Sequence, residues 1–180
     1  MSEDARKRAA RVRLAVFDVD GVLTDGMLTY DDRGIEYKSF HTQDGLGLKL
    51  LQQAGVTVAV ISARNSDIVT RRMRELGIKH VYQGSDDKLS VLRELLRSLK
   101  VDGTETAYTG DDLPDVPPMR LAGFAVAVQN AVAAVRQYAH WITSKPGGQG
   151  AAREICDFIL SAQGKLAAVT AAAAGDAPAK

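Results

Sequence analysis

Arg13-Leu-Ala-Val-Phe-Asp18-Val-Asp20-Gly-Val-Leu-Thr-Asp-Gly26 is an apolar run that ends in two aspartates one residue apart. A buried strand normally avoids carboxylates, because removing an ionised one from water is costly unless something compensates for it. Side chains alternate along a strand, so Asp18 and Asp20 would converge on one side unless the chain turns between them, and Gly21 marks a turn. Two convergent carboxylates require a shared proton or a divalent cation. The stretch therefore predicts a buried strand with a candidate metal site at its carboxyl end. The ordinary alternative is a strand followed by an acidic turn, and the remainder of the chain decides between them.

Working outward, residues 27–30 and 35–40 flank Asp31-Asp32-Arg33-Gly34 and read as a β-hairpin. Residues 44–54 carry Leu46, Leu48, Leu50 and Leu51 and stop at Gly55, the pattern of a helix with a glycine after its end. The β-branched run 56–61 suits a strand buried on both faces. Ser66 is placed to cap a helix that runs to Leu76. Strands are expected at 80–82, 106–109, 125–128 and 140–143, and helices at 88–99, 119–122, 131–138 and 151–163. This alternation predicts an α/β fold, a three-layer, doubly wound and mainly parallel sheet between helices, with a small hairpin flap. Ligands of such sheets bind beyond the carboxyl ends of the strands. Asp18, Ser62 and Asp111 all fall there. Residues 1–11 are expected to be flexible, 12–166 to form one domain, and the alanine-rich 167–180 to be a mobile tail.

Composition sets the outer limits. The chain has 180 residues, enough for one sizeable core, and Lys plus Arg (23) balance Asp plus Glu (22). No global field draws it to nucleic acid, so an anionic ligand must be bound locally. Residues 1–10 lack the apolar core of a signal peptide, no run approaches the length of a membrane helix, and the single Cys156 cannot form an intrachain disulfide. A cytoplasmic protein without membrane or nucleic-acid partners is the expectation. Cys156 lies in a helical, apolar pattern and reads as a buried core thiol.

Three further segments carry chemistry. Val60-Ile-Ser62-Ala-Arg64 puts a hydroxyl and then a cation after the second buried strand. Lys88 opens a helix, where its charge opposes the macrodipole, so its position hints at a tether. Tyr108-Thr-Gly-Asp111-Asp112-Leu-Pro-Asp115 gathers three carboxylates behind another strand. The histidines, His41, His80 and His140, are scattered, and neither a dinucleotide fingerprint nor a P-loop is present.

In order and form, these four segments resemble the motifs of the haloacid dehalogenase-like phosphohydrolases, beginning with Asp18-Val-Asp20-Gly-Val-Leu. The resemblance implies that Asp18 is a nucleophile forming an aspartyl-phosphate and Asp20 a general acid and base. It implies that Ser62 and Lys88 hold the phosphoryl oxygens. Mg2+ would be bound by Asp18, the Asp20 backbone carbonyl and Asp111, with Asp112 and Asp115 behind them orienting water or Lys88. The intervals from Asp20 to Ser62 and from Lys88 to Asp111 are filled by the elements already named and leave no room for a cap domain, so hairpin and neighbouring subunit are the available covers.

Lys38-Ser-Phe-His-Thr-Gln-Asp-Gly-Leu-Gly47, Tyr82-Gln-Gly and Gly147-Gly-Gln-Gly-Ala-Ala-Arg-Glu-Ile-Cys-Asp157 narrow the resemblance to the 3-deoxy-D-manno-octulosonate 8-phosphate phosphatases of lipopolysaccharide biosynthesis, across 12–166. By that likeness His41, Thr42, Gln43, Asp44 and Gly45 border the sugar acid, and Lys49, Arg64, Arg72 and Lys88 supply cations for its carboxylate and phosphate. A homotetramer is implied, with the hairpin at the contact and the 147–150 loop as a lid on a neighbour's site. The chain departs from the usual pattern at Gln43, Lys49, Ala63 and Gln149. A phosphatase of a related nonulosonate 9-phosphate, of the sialic acid type, and a catalytically quiet oligomeric homologue stay open as alternatives.

Overall fold

A computed structural model describes residues 2–176. Its centre is a six-stranded sheet of β1 (Leu14–Phe17), β4 (Thr57–Ile61), β5 (His80–Tyr82), β6 (Thr106–Gly110), β7 (Phe124–Ala127) and β8 (Trp141–Ile142). The order is β5-β4-β1-β6-β7-β8, and every pairing is parallel. β2 (Thr29–Tyr30) and β3 (Glu36–Tyr37) form the separate antiparallel hairpin. All four residues of β1 and of β7 are buried, so both faces of the central sheet are covered, as the unbroken apolar runs require.

The covering helices are α1 (Glu3–Ala9), α2 (Thr42–Gln53), α3 (Asp67–Glu75), α4 (Lys88–Leu99), α5 (Val116–Leu121), α6 (Ala133–Arg136), α7 (Ala151–Ala162) and α8 (Leu166–Ala174). α2 packs on α7, joined by α1 and α8, while α4 packs on α5. Gly47 lets α2 and α7 approach closely, because a Cβ there would lie 2.9 Å from the Arg153 side chain. The chain leaves β1 toward β4 and β5, then returns to β1's other side for β6, β7 and β8. This reversal places the crevice beyond β1, β4 and β6.

Both termini carry helices that the reading of the sequence did not place. Where a flexible 1–11 is expected, α1 forms with a Ser2 cap, buries Ala5 and Ala9 completely, and donates from Arg8 to the Gly123 carbonyl at 2.9 Å. The expected mobile tail is helical through Ala174, and 177–180 lie outside the described residues. α5 begins earlier than expected because Pro117 and Pro118 occupy its first turn, where proline fits. Among the described residues no single helix is long and apolar enough to cross a membrane.

Candidate active site

Three strand ends deliver the site. β1 runs into Asp18, β4 into Ser62 and β6 into Asp111, and β1 lies between the other two. Together with Asp20, Gly26, Ala63, Arg64, Lys88, Asp112, Pro114 and Asp115 they line an open cleft of about 320 Å³. Gly21 is obligatory twice over. Its φ is +90°, and a Cβ there would lie 2.2 Å from Asp111 Oδ2.

Lys88 is the pivot. Although it opens α4, it is buried, with Nζ 3.0 Å from Asp18 Oδ1 and 2.7 Å from Asp115 Oδ1. Asp115 has no capacity left over: Tyr108 donates its hydroxyl to Oδ1 at 3.0 Å, and the Asp111 and Asp112 N–H groups donate to Oδ2 at 3.0 and 3.3 Å. It is an anchor for Lys88 and for the β6 loop. A Cβ at Gly110 would lie 2.2 Å from the Asp115 Cβ, so that loop also needs a glycine. Asp112 sits at the rim and accepts from the Leu113 N–H at 2.7 Å.

Carboxylate oxygens of Asp18, Asp111 and Asp115 lie within 4.8 Å of one another. Burial, then the nearby Asp115 charge, pushes Asp18 up to about 8 despite Lys88; the same two causes push Asp111 up to about 7. One ammonium does not balance three clustered carboxylates, two of them buried and Asp111 half-buried, and Asp115 is already saturated. The oxygens of Asp18 and Asp111 are hard donors around an uncompensated negative charge, which fits a small divalent cation. Ser62 is buried and its Oγ accepts from the Arg64 N–H at 3.2 Å, which leaves the hydroxyl proton for a ligand.

The residues expected to border a sugar acid are not all brought here. Thr42, Gln43 and Lys49 are exposed on α2. Asp44 is buried and caps the start of α7, accepting from Arg153 N–H at 2.7 Å and Gly150 N–H at 3.3 Å; burial raises its pKa. His41 and Gly45 share a separate small cavity with Arg72 and Phe40. The Arg72 guanidinium lies over the Phe40 ring at 5.9 Å and pairs with Glu75 at 3.4 Å. Gly45 makes room for it, since a Cβ would come within 2.4 Å of that guanidinium. Within one chain, only Arg64 and Lys88 of the expected cations reach the cleft. The 147–150 loop packs on its own chain's loop after β1: the Gly148 N–H donates to the Val22 carbonyl at 2.9 Å, and a Cβ at Gly147 would strike the Gly21 carbonyl oxygen at 1.7 Å.

Sequence reading missed the hairpin's grip on this site. Glu36 accepts from Arg64 at 2.7 Å and from the Ser66 hydroxyl at 2.8 Å, and Lys38 Nζ contacts Asp20 Oδ1. Ser66 stands at the start of α3, yet its hydroxyl serves Glu36 and makes no cap bond. The available signal was period-two spacing, which puts Glu36 and Lys38 on one side of an extended segment.

A haloacid dehalogenase-like hydrolase family model matches residues 74–155. The curated 3-deoxy-D-manno-octulosonate 8-phosphate phosphatase of Yersinia pestis is 42% identical over 170 residues, spanning 94% of this chain and 91% of that protein. The crystal structure of the enzyme of that name from Moraxella catarrhalis, in complex with magnesium, phosphate and the octulosonate, superposes with a TM-score of 0.93 at 44% identity, covering 96% of this chain and 99% of that one. The cobalt-bound form from Haemophilus influenzae gives 0.86 at 43% identity, covering 88% and 93%. With its paired aspartates after β1, buried lysine and capless parallel sheet, this chain belongs to the 3-deoxy-D-manno-octulosonate 8-phosphate phosphatase family of haloacid dehalogenase-like hydrolases.

Proposed function

We propose that the chain is a magnesium-dependent phosphomonoester hydrolase that removes phosphate from 3-deoxy-D-manno-octulosonate 8-phosphate, a step of lipopolysaccharide biosynthesis, in the cytoplasm. The observation that carries this reading is the meeting of Asp18, Ser62, Lys88 and Asp111 at three adjacent strand ends, in a chain whose relatives bear that name over most of its length.

An Asp18 oxygen attacks phosphorus as the bond from phosphorus to the sugar oxygen breaks. The bonding pair leaves with the sugar oxygen, which takes a proton from the Asp20 carboxyl and departs as the alcohol. Asp20, now a carboxylate, takes a proton from water, whose oxygen attacks phosphorus. The bond from Asp18 breaks, and inorganic phosphate leaves. Lys88 and the Ser62 hydroxyl hold the phosphoryl oxygens through both displacements. Asp18, Asp111 and the Asp20 backbone carbonyl would hold magnesium, which when bound offsets charge on the transferring group. Asp115 keeps Lys88 in place, and Asp112 remains available to water at the rim.

The active form is a homotetramer closed by its hairpins. Met27, Leu28, Tyr30, Ile35 and Tyr37 are all about half exposed or more, an apolar set on a two-stranded ribbon that supports burial against other copies. Such contacts would cover a cleft that has no cap and supply cations that one chain leaves outside it. Phosphate release across a panel of sugar phosphates, read as relative kcat/KM with magnesium, tests the substrate. Equal values for the octulosonate 8-phosphate and glucose 6-phosphate contradict it.

A further inference from the structure

Lys38 stands apart from its surroundings. The hairpin exposes its large apolar residues, yet the Lys38 side chain is 1% exposed. A lysine ammonium leaves water at considerable cost unless it is paired, so a specific contact must hold it there. Its nitrogen contacts Asp20 Oδ1 and lies 3.4 Å from Glu36 Oε1. Arg64 approaches the other side of the same carboxylate, with Nε 3.7 Å from Asp20 Oδ2. That Nε is buried without a hydrogen-bond partner, while the guanidinium's Nη2 is held by Glu36 at 2.7 Å and the Tyr30 hydroxyl at 3.0 Å. Glu36 also takes the Ser66 hydroxyl, so the hairpin is fastened to the start of α3 at the point where it presents Lys38.

Two features give this arrangement a direction. Asp20 and Arg64 line the cleft, whereas Lys38 does not. Lys38 thus grips Asp20 from outside the space a substrate would fill. In addition, Asp20 is only half-buried and, among the described residues, its side chain makes no other hydrogen bond, so without Lys38 only the longer approach of Arg64 and the loop itself would orient it.

Resting on the phosphatase reading above, we infer that Lys38 is a positioning residue that fixes the Asp20 carboxyl for proton transfer to the leaving oxygen, with Glu36 fastening the hairpin that carries it. The role belongs to proton transfer, so it must depend on the leaving group. An alkyl ester needs its oxygen protonated as it departs; an aryl ester such as p-nitrophenyl phosphate departs as a stable anion. Because kcat/KM reports events through the first irreversible phosphoryl transfer, it isolates that step.

The test uses the full chain with saturating magnesium and compares kcat/KM for a sugar phosphate and for p-nitrophenyl phosphate. Misplacing a general acid forfeits a contribution of about 10²- to 10⁴-fold. Lys38→Met should therefore lower the alkyl ester value at least about tenfold more than the aryl value, and Lys38→Arg should recover most of the difference. A double-mutant cycle guards against a general folding defect: in an Asp20→Asn background, Lys38→Met should add little further loss on the alkyl ester. Equal losses on both esters, or full additivity with Asp20→Asn, would overturn the positioning role. A wild-type chain that hydrolyses neither ester would instead remove the phosphatase reading, and this inference with it.

Discussion

The Lys88 ammonium lies 3.0 Å from the Asp18 carboxylate and is held there from behind by Asp115 at 2.7 Å. All three side chains are buried, so the two carboxylates depend on the ammonium between them to offset their repulsion and desolvation. Lys88→Met would leave two buried carboxylates facing one another. Breaking a buried pair of this kind costs about 3–5 kcal/mol, and denaturant unfolding with magnesium present should show a loss of that size along with loss of turnover. An unchanged midpoint would mean the lysine is not the pivot of the site.

The carboxylates also predict how pH and metal interact. Asp18 at about 8 and Asp111 at about 7 both stand above their ordinary value of 3.8. A raised folded-state pKa contributes stability that is fully present below the unfolded value and is lost as pH rises through the folded one. The metal-free protein should therefore lose stability between about pH 4 and pH 8. Magnesium binds the ionised carboxylates, so its stabilising effect should grow over the same interval. Melting temperatures with and without magnesium at several pH values check this; a gain independent of pH contradicts it.

Asp44 is predicted to act on stability. Its buried carboxylate satisfies two N–H groups at the start of α7, and leaving such donors unpaired costs about 1–3 kcal/mol. Asp44→Ala should lower unfolding free energy by that amount while the folded fraction retains its kcat/KM. A selective rise in KM without a stability change would return Asp44 to the substrate.

Glu36 is predicted to govern the hairpin. It holds Arg64 and Ser66 across the gap to α3, whereas the two strands share only a short ladder. Glu36→Ala should speed amide hydrogen exchange in 29–37 and leave the central sheet protected. Unchanged exchange in the hairpin would show that apolar contacts alone keep it down.

These predictions divide along what the sequence made legible. The strand ends were readable because unbroken apolar runs stop at Asp18, Ser62 and Asp111, and a parallel sheet aligns such ends without further information. α4 was readable to the residue because Lys88 to Leu99 carries a strong apolar face. α1 was missed because its buried stripe is only Ala5 and Ala9, too small to stand out among charged neighbours. The hairpin's grip was missed for a different reason. It joins Glu36 to Arg64, Ser66 and, through Lys38, Asp20, and no local pattern encodes where a ribbon docks. The bonds of Asp44 to the start of α7 were not legible for the same reason, since those partners lie far along the chain.

Asp18 as the nucleophile is the claim on which the rest depends. Its most direct test is an acid quench of the wild-type chain during turnover of a sugar phosphate with magnesium, followed by peptide mass spectrometry. The expected result is a hydroxylamine-labile phosphate on the peptide containing Asp18, with no label and no turnover in Asp18→Asn. Sustained turnover by Asp18→Asn, with contaminating phosphatase excluded, or a phosphate carried on another residue, would contradict the account.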